Sequence, residues 1–371
     1  MRTERDTERL VVVGGEPLSG SVIIHGAKNA VLPMLAASVL TDDPVTVTDC
    51  PDITDVADMA GVLSALGCKV GREGRNITVC GGCCSSEIPP ALAKAIRSSV
   101  FMLGPLLART GEVRMHAPGG CRIGARPLDI HLGGLASMGA EVSFDDDFVV
   151  CRAEKLRGAD IVLRYPSVGA TENLVMAAVC AEGTTRIIGA AREPEIVSLV
   201  TLPRKMAPAL RGEAPPLLPV KGVRDQQGAV CPPVPHRLAA GPLIAACAAC
   251  VCTRELRCAL LRDLGAVISP FLGAHTFLVE HGGVLIFESD GMLSPTDIVT
   301  GPYPLFPTDM QAPFMACQCF ASGMCSMRET VFEDRFAHIG ELRKMGAEIA
   351  VAGSTAYIDG RAKAYPSHYS A

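Results

Sequence analysis

Apolar residues recur along this chain at the three- and four-residue spacing that is typical of amphipathic helices. The clearest series are Val56, Met59, Ala60 and Leu63, and then Ile130, Leu132, Leu135 and Met138. Each series is followed by a glycine and then by a β-rich run, NITV in one case and DFVV in the other. The glycine predicts that the helix stops in a left-handed cap. The pattern therefore predicts a unit of a helix, a glycine stop and a strand or hairpin.

This unit is repeated. Its clean copies are SALGCKV at 64–70, ASMGAEV at 136–142, RDLGAVI at 262–268 and RKMGAEI at 343–349, and the last two lead into HTFLV and TAYI. A fifth copy starts as EPEIVSL at 193–199, but Met206-Ala207-Pro208 stands in place of its glycine stop. Repetition at this scale predicts an α/β fold assembled from copies of one unit. Two domains of three units each would need six copies, and five are visible.

Residues 200–236 depart from the pattern. Prolines stand at positions 203, 208, 215, 216, 219, 232, 233 and 235. Proline inside a helix or a central strand breaks either element, so we expect neither to persist here. One interpretation is a linker between domains. We prefer the hypothesis that this stretch, and the tail from about Ala362, result from out-of-frame translation, which sequencing of the source DNA would test.

Composition narrows the class of protein. The chain has 371 residues, 49% of them hydrophobic, which suffices for two domains with a sizeable core. The net charge of −5 and the absence of a long basic run argue against a nucleic-acid partner. The N-terminus lacks an apolar run of signal-peptide length, and Gly241 and Pro242 interrupt the longest apolar stretch, 238–252. We therefore expect a cytoplasmic protein without membrane insertion.

Sixteen cysteines include two tight clusters, Cys80, Cys83 and Cys84, and Cys247, Cys250 and Cys252. No histidine lies close in sequence to either cluster, and the paired spacing of a zinc site is missing. We expect reduced cysteines that act mainly as small buried hydrophobes, and no metal site. A non-enzymatic protein that responds to metal or redox conditions through these cysteines is the disfavoured alternative.

The segment PGGCRIGARPLD at 118–129 carries the clearest candidate chemistry. Its proline and glycines exclude regular structure. Cys121 stands near Arg122 and Arg126, whose positive charges favour the thiolate and could also bind a phosphate or carboxylate. This combination favours a mobile catalytic lid with a reactive thiol. A surface loop with an incidental cysteine is the alternative.

Five further motifs accompany this segment, which extends to 132. They are GAKNA at 26–30, RSSVFMLGPLLAR at 97–109, PSVGATEN at 166–173, PYPLFPTDMQA at 302–312 and ETVFEDRFAHI at 329–339. With these motifs the chain resembles the enolpyruvyl transferases, the family of UDP-N-acetylglucosamine 1-carboxyvinyltransferases and 3-phosphoshikimate 1-carboxyvinyltransferases. The PGGC lid favours the first group over the second.

The resemblance implies a two-domain α/β fold. Each domain would be an inside-out barrel of repeated helix-and-sheet units, and the two would face each other across a cleft. Residues 28–235 would form the first domain, and residues 1–27 with 236–371 the second, which would lack its last unit. The family's Asp-Leu-Arg-Ala-Ser and Arg-Gly-Tyr stretches, which supply arginines to the cleft, do not occur in this chain. An inactive member that at most binds the UDP-sugar is therefore the alternative to an active enzyme.

The resemblance also implies the reaction. Such enzymes move the enolpyruvyl group of phosphoenolpyruvate onto the 3-hydroxyl of UDP-N-acetylglucosamine and release phosphate, the first committed step of peptidoglycan synthesis. Both partners would be small molecules, the enzyme would need no metal or organic cofactor, and it would be a monomer.

Residue roles carry over motif by motif. Lys28, Arg97 and Arg126 match positions that hold phosphoenolpyruvate, and Cys121 matches the general acid that fosfomycin alkylates. Asp309 matches the base for the sugar hydroxyl, although an N-cap role is an alternative. Positions that line the nucleotide-sugar site or its cleft are matched by Asn29, Ser167, Val168, Gly169, Val331, Phe332 and Arg335.

The sequence also departs from the family. Arg122 stands where the family more often has a small residue, and Asp334 where it has asparagine. His236-Arg237-Leu238-Ala239-Ala240-Gly241 replaces the family's Asp-Arg-Ile-Glu-Ala-Gly junction.

Overall fold

The computed structural model describes residues 12–13, 17–83, 85–116, 128–207, 217–223, 225–273 and 275–361. The α-helices in these ranges are, in chain order, α1 Lys28–Ala37, α2 Thr54–Ala65, α3 Pro90–Ala95, α4 Leu103–Thr110, α5 Asp129–Ser137, α6 Val168–Cys180, α7 Pro194–Met206, α8 Arg237–Ala248, α9 Leu261–Ile268, α10 Gln311–Gln318 and α11 Ile339–Lys344. Short 3-10 segments occupy Ser38–Leu40, Arg97–Met102, Ser269–Phe271 and Thr308–Met310.

The β-strands of the same ranges are, in chain order, β1 Leu18–Ile23, β2 Val45–Val47, β3 Lys69–Glu73, β4 Asn76–Cys80, β5 Glu112–His116, β6 Glu141–Asp145, β7 Phe148–Arg152, β8 Asp160–Val162, β9 Thr184–Ile188, β10 Leu217–Lys221, β11 Ala229–Cys231, β12 Val251–Arg257, β13 Thr276–His281, β14 Val284–Asp290, β15 Ile298–Val299, β16 Met324–Arg328, β17 Glu348–Ala352 and β18 Thr355–Asp359.

Within the described ranges the strands form five separate sheets. Their strand orders are β11-β2-β4-β3, β5-β7-β6, β10-β9-β8, β1-β12-β14-β13 and β15-β16-β18-β17. Each of the four clean repeat copies supplies strands to a different sheet, and the fifth copy is followed by β10 in the remaining sheet. The clean copies contribute the hairpins β3-β4, β6-β7, β13-β14 and β17-β18.

Helices occupy the interior, and the sheets expose their outer faces. Eight of the ten residues of α1 are buried, whereas β6 exposes four of its five residues. One hydrophobic cluster draws on residues from Ala27 to Cys231 and another on Ile24 and residues from Ala240 to Ile358. Helices inside and sheets outside are the arrangement expected of an inside-out barrel. The predicted domain boundaries at 28–235 and 236–371 stay a prediction.

The glycine stop is confirmed in three of the clean copies and wrong in one. Gly67, Gly139 and Gly346 follow α2, α5 and α11 with φ of 102°, 95° and 91°, the left-handed region that favours glycine. Gly265, in contrast, lies inside α9. The buried residues on either side of it, Leu264 and Val267, carry the helix past the glycine. Packing of an amphipathic face has here outweighed the local stop signal.

The expectation that prolines break the 200–236 stretch is also wrong where the structure describes it. Helix α7 continues through Pro203 to Met206, and both residues are buried. Pro219 lies within β10, which pairs with β9 at the edge of its sheet. An edge strand tolerates a missing donor because one side of it needs no ladder partner. The hypothesis of out-of-frame translation stays a prediction.

The chain crosses between the two hydrophobic clusters at two adjacent segments. Gly26 and Pro235 form an antiparallel bridge. On either side of it, Ala27 N donates to Val234 O and His236 N to His25 O, each over 2.8 Å. A Cβ on Gly26 would lie 2.4 Å from Pro233 and 2.5 Å from Asp49 O, so only glycine fits this crossing.

Strands exchanged between distant parts of the chain frame this crossing. Strand β1 pairs in parallel with β12, and β11 pairs in parallel with β2. Each of these sheets therefore pairs strands that are distant in sequence but belong to the same hydrophobic cluster.

Most cysteines of the described ranges behave as small hydrophobes. Fourteen are free, nine of them buried, and burial raises the pKa of Cys50 and Cys151 to about 11 and of Cys317 to about 12. Among the described residues no group of three or more potential ligands is arranged to hold a metal ion. None of the described helices is long and apolar enough to cross a membrane. Cys84 of the first cluster lies outside the described residues.

Candidate active site

Lys28 is the first residue of α1, directly after the crossing. Its Nζ lies 3.6 Å from Asp55 Oδ1 on α2, and both side chains are about two-fifths exposed. Because the ion pair is loose and partly solvated, an incoming anion could compete for the ammonium group. Asn29 follows in the same first turn and is half-buried. The expected anion-binding lysine therefore stands at a helix start, where main-chain N–H groups also favour negative charge.

Ser167, Val168 and Gly169 form the N-terminus of α6. Ser167 is the N-cap, and its Oγ accepts a hydrogen bond from Ala170 N over 3.3 Å. Its carbonyl oxygen accepts from the Thr171 hydroxyl over 2.8 Å, which fixes the first turn further. The predicted nucleotide-sugar residues are thus held together in one rigid helix turn.

Asp309 lies in the 3-10 segment Thr308–Met310 and is half-exposed. Its Oδ1 accepts a hydrogen bond from Arg335 Nη2 over 2.6 Å. The alternative of an N-cap role is wrong, because Met310 is the N-cap of α10 and neither this helix nor the 3-10 segment has a side-chain cap bond. The guanidinium carbon of Arg335 also lies 5.6 Å from the centre of the Phe332 ring. Two segments that are distant in sequence thus meet at Asp309.

Glu329 is a functional candidate that sequence reasoning missed. Its Oε1 accepts from the main-chain N–H groups of Val331 and Phe332 over 2.7 and 3.1 Å, and its Oε2 accepts from the Thr308 hydroxyl over 2.9 Å. The side chain is buried. One carboxylate therefore holds the loop with Val331 and Phe332 against the segment that carries Asp309. Its place at the start of the ETVFE motif was the only signal in the sequence.

His236 connects the two sides of the candidate site. Burial lowers its pKa, the carboxylates of Glu195 and Asp309 oppose this shift, and the cations Lys28 and Arg237 add to it. Lys28 and Asp309, 281 positions apart in sequence, therefore both lie within electrostatic range of one imidazole. The His236 Nδ1 atom is buried and has no hydrogen-bond partner among the described residues. A half-buried histidine whose pKa is shifted by burial and by nearby charges is a candidate functional residue.

Three of the predicted site residues have side chains outside the part of the chain that the structure describes. Cys121 and Arg126, with Arg122 between them, lie outside the described residues, as does the side chain of Arg97. The main chain of Arg97 begins the 3-10 segment Arg97–Met102. Their roles stay predictions.

A buried charge cluster lies beside the crossing and was also missed. Arg237 Nε donates to both carboxylate oxygens of Glu195, over 3.1 and 3.3 Å, and the two side chains are only 7% and 3% exposed. The Arg237 guanidinium carbon lies 5.5 Å from the centre of the Tyr303 ring. The main-chain N–H of Tyr303 donates to Glu193 over 3.5 Å. Helix α7, which contributes to the first hydrophobic cluster, is thus tied to α8, which contributes to the second.

Glu172 adds a third carboxyl to this cluster. It is fully buried, and neither carboxyl oxygen has a hydrogen-bond partner among the described residues. Burial, reinforced by the charges of Glu195 and Glu193, raises its pKa well above the usual range. The folded protein therefore holds this proton at pH values at which the unfolded chain releases it, and stability falls as the pH rises through that window.

We expect Glu172→Gln to gain stability relative to the parent chain as the pH rises from about 5 to 8. The gain should approach about 1.4 kcal/mol per pH unit, because one proton separates the folded and unfolded states. Urea unfolding at several pH values measures it, with the exposed Glu141→Gln as the control for loss of a charge. A stability difference that stays constant or shrinks with pH would contradict this expectation.

Comparison with known proteins identifies the family. The sequence model described as EPSP synthase (3-phosphoshikimate 1-carboxyvinyltransferase) matches residues 12–369. The UDP-N-acetylglucosamine 1-carboxyvinyltransferase of Desulfovibrio desulfuricans is 41% identical over 354 residues, which cover 95% of this chain and 85% of that protein. The protein of the same name from Granulibacter bethesdensis is 42% identical over 359 residues, with the same coverage.

The chain belongs to the UDP-N-acetylglucosamine 1-carboxyvinyltransferase family. It is an enzyme of the transferase class, as its motifs predicted. Solved structures support the enolpyruvyl transferase fold of this family. The enolpyruvyl transferase NikO from Streptomyces tendae superposes with a TM-score of 0.83 at 20% identity, covering 95% of this chain and 84% of that one. EPSP synthase from Acinetobacter baumannii gives 0.70 at 17% identity, covering 94% and 83%. The predicted two-domain α/β fold class is thereby confirmed.

Proposed function

We propose that this chain transfers the enolpyruvyl group of phosphoenolpyruvate to the 3-hydroxyl of UDP-N-acetylglucosamine and releases phosphate. The observation that supports the proposal is that Lys28 and Asp309 both lie within electrostatic range of His236. An anion-binding cation and a carboxylate base from distant parts of the chain would then act in one site. The reaction needs both, because a phosphate ester must be held while a hydroxyl is deprotonated.

The addition step uses three groups. As the sugar oxygen bonds to C2 of phosphoenolpyruvate, the hydroxyl proton passes to Asp309 and the Cys121 thiol gives a proton to C3. Arg335 holds the Asp309 carboxylate in one orientation, and a positioned base is effective only when its geometry is fixed. Lys28, with Arg97 and Arg126, would hold the phosphate and carboxylate by charge-assisted hydrogen bonds.

In the elimination step C3 returns a proton to the Cys121 thiolate, the C2–O bond to phosphate breaks, and the double bond of the enolpyruvyl ether forms. The proton held by Asp309 passes to the departing phosphate, so both side chains regain their starting states. Phosphate leaves as an anion, which Lys28 and the arginines stabilise as its charge develops.

The nucleotide sugar would bind at the first turn of α6 and at the loop that Glu329 holds. The positive end of a thirteen-residue helix favours a diphosphate. The loop that carries Val331 and Phe332 would contribute apolar surface to the remainder of the ligand.

We further propose that the enzyme acts as a monomer in the cytoplasm. Both substrates are multiply charged phosphate esters, which do not cross membranes unaided, so the enzyme must work in the compartment that holds them.

Phosphate release tests the function. Purified protein with phosphoenolpyruvate and UDP-N-acetylglucosamine should release one phosphate per enolpyruvyl ether formed, and omission of either substrate should abolish the release. Shikimate 3-phosphate in place of the nucleotide sugar should give no product. Calorimetric binding of UDP-N-acetylglucosamine without any phosphate release would instead support the alternative of an inactive family member.

A further inference from the structure

Asn173 on α6 is a buried junction between several elements of the candidate site. Its Oδ1 accepts from Gly104 N on α4 over 2.7 Å, and its Nδ2 donates to Val100 O over 2.9 Å. Val100 belongs to the 3-10 segment that begins at Arg97. The same Nδ2 lies 3.0 Å from His131 Nδ1 on α5. One amide therefore connects α4, α5 and α6 with the segment of the predicted phosphoenolpyruvate arginine.

These contacts fix the tautomer of His131. Asn173 Nδ2 also donates to Gly169 O over 3.3 Å, so three acceptors share its two hydrogens. An amide nitrogen cannot accept a hydrogen bond, so a hydrogen on His131 Nδ1 would find no acceptor there, which assigns the ring hydrogen to Nε2. Burial lowers the pKa of His131 to about 4, and only the charge of Asp129 opposes this shift among the described residues. The imidazole is therefore neutral at physiological pH, with its donor on the side away from Asn173.

The outer edge of the His131 ring packs against the first turn of α6. A Cβ added to Gly169 would lie 3.2 Å from His131 Cε1, which is tighter than most contacts of real side chains, and 3.5 Å from Nε2, which is an ordinary contact. Gly104 approaches α6 still more closely, since a Cβ there would lie 2.1 Å from Asn173 O. The packing leaves little room for the first turn of α6 to move toward α5.

We propose that His131 is a positioning residue for the nucleotide sugar, held by Asn173 as the Nε2–H tautomer and bracing the first turn of α6. This inference rests on the proposed function, because it assigns the nucleotide-sugar subsite to Ser167, Val168 and Gly169. His131 also stands two residues into α5, the helix that follows residues 117–127 in the chain.

Substitutions at His131 test the proposal through the Michaelis constants. In His131→Asn the amide oxygen can take the place of Nδ1 as the acceptor. In His131→Gln the amide group instead lies near the position of Nε2, and His131→Leu has no polar group at either position. We expect His131→Leu to raise KM for UDP-N-acetylglucosamine about tenfold, because Asn173 Nδ2 then bonds only Val100 O and Gly169 O and the imidazole no longer packs against the first turn of α6. His131→Asn should stay within about threefold of the parent, and kcat and KM for phosphoenolpyruvate should change less than about threefold in both. The exposed His281→Gln is the control.

Two results would overturn the proposal. One is an unchanged KM for the nucleotide sugar in His131→Leu, and the other is a His131→Asn variant as impaired as His131→Gln. Thermal unfolding checks that each variant folds, and if the leucine variant does not, the comparison of asparagine with glutamine decides. Should turnover be absent, calorimetric Kd values for UDP-N-acetylglucosamine replace KM. Absence of binding by the parent chain refutes the proposed function, whereas binding that all variants retain refutes this inference alone.

A spectroscopic signature separates this role from simple packing. In protein labelled with ¹⁵N-histidine, the His131 ring should show a protonated Nε2 and an unprotonated Nδ1 at pH 7. Asn173→Asp replaces the donor by an acceptor, so the ring should then carry a hydrogen on Nδ1. A ring that already carries hydrogen on Nδ1 in the parent chain would contradict the assignment.

Discussion

Asp309→Asn is expected to lower kcat by at least about a hundredfold, the usual contribution of a positioned general base. Asparagine has nearly the same shape as aspartate but cannot accept the hydroxyl proton. It also removes the negative partner of Arg335, which lies 2.6 Å from Asp309 in the native protein. Binding of UDP-N-acetylglucosamine should weaken much less, because the substitution acts on the reacting hydroxyl and leaves the remainder of the ligand site intact.

Phosphate-release kinetics and calorimetric binding, run on the same preparations, measure the two effects. Asp160→Asn is a matched control, since Asp160 also pairs with an arginine, Arg186 at 3.1 Å, but on exposed strands away from the site. It should retain the kcat of the parent chain, because exposed ion pairs contribute little. An Asp309→Asn enzyme with more than about a tenth of the parent kcat would exclude this residue as the base.

Arg237→Met is expected to destabilise the protein by about 3–5 kcal/mol, the usual cost of leaving one charge of a buried ion pair alone. The change removes both hydrogen bonds to Glu195 and leaves a carboxylate that is only 3% exposed. Adding Glu195→Gln to this variant should restore most of the loss, because the second substitution removes the stranded charge.

Urea unfolding of the two single variants and the double variant measures the coupling. The exposed pair of Arg186 and Asp160 supplies the matched control, and Arg186→Met should cost less than about 1 kcal/mol. If the double variant loses as much unfolding free energy as the two single variants together, the two side chains act independently.

Local sequence signals predicted the repeated elements and failed where tertiary packing decides. Gly67, Gly139 and Gly346 end helices because a left-handed residue is needed there and nothing else competes. Gly265 carries the same signal, yet the neighbouring buried residues extend α9 past it. Pro219 is tolerated because its strand lies at a sheet edge, which no local pattern reveals.

The same distinction applies to the residues of the candidate site. The motifs identified Lys28 and Asp309, and the structure brings both within electrostatic range of His236. Glu329, Glu195 and Arg237 were missed, because each acts on a residue far away in the sequence. A buried carboxylate that holds a loop has no periodicity or spacing of its own, so only its contacts reveal it.

The exchanged strands limit how the enzyme could be divided for engineering. A cut near residue 236 would leave β1 on the N-terminal fragment, although its hydrogen-bond partner β12 lies on the C-terminal one. The C-terminal fragment alone would present the open edge of β12 to other chains and invite aggregation. The C-terminal fragment would therefore need a copy of Leu18–Ile23, as a peptide or by fusion, to fold in the absence of the N-terminal fragment.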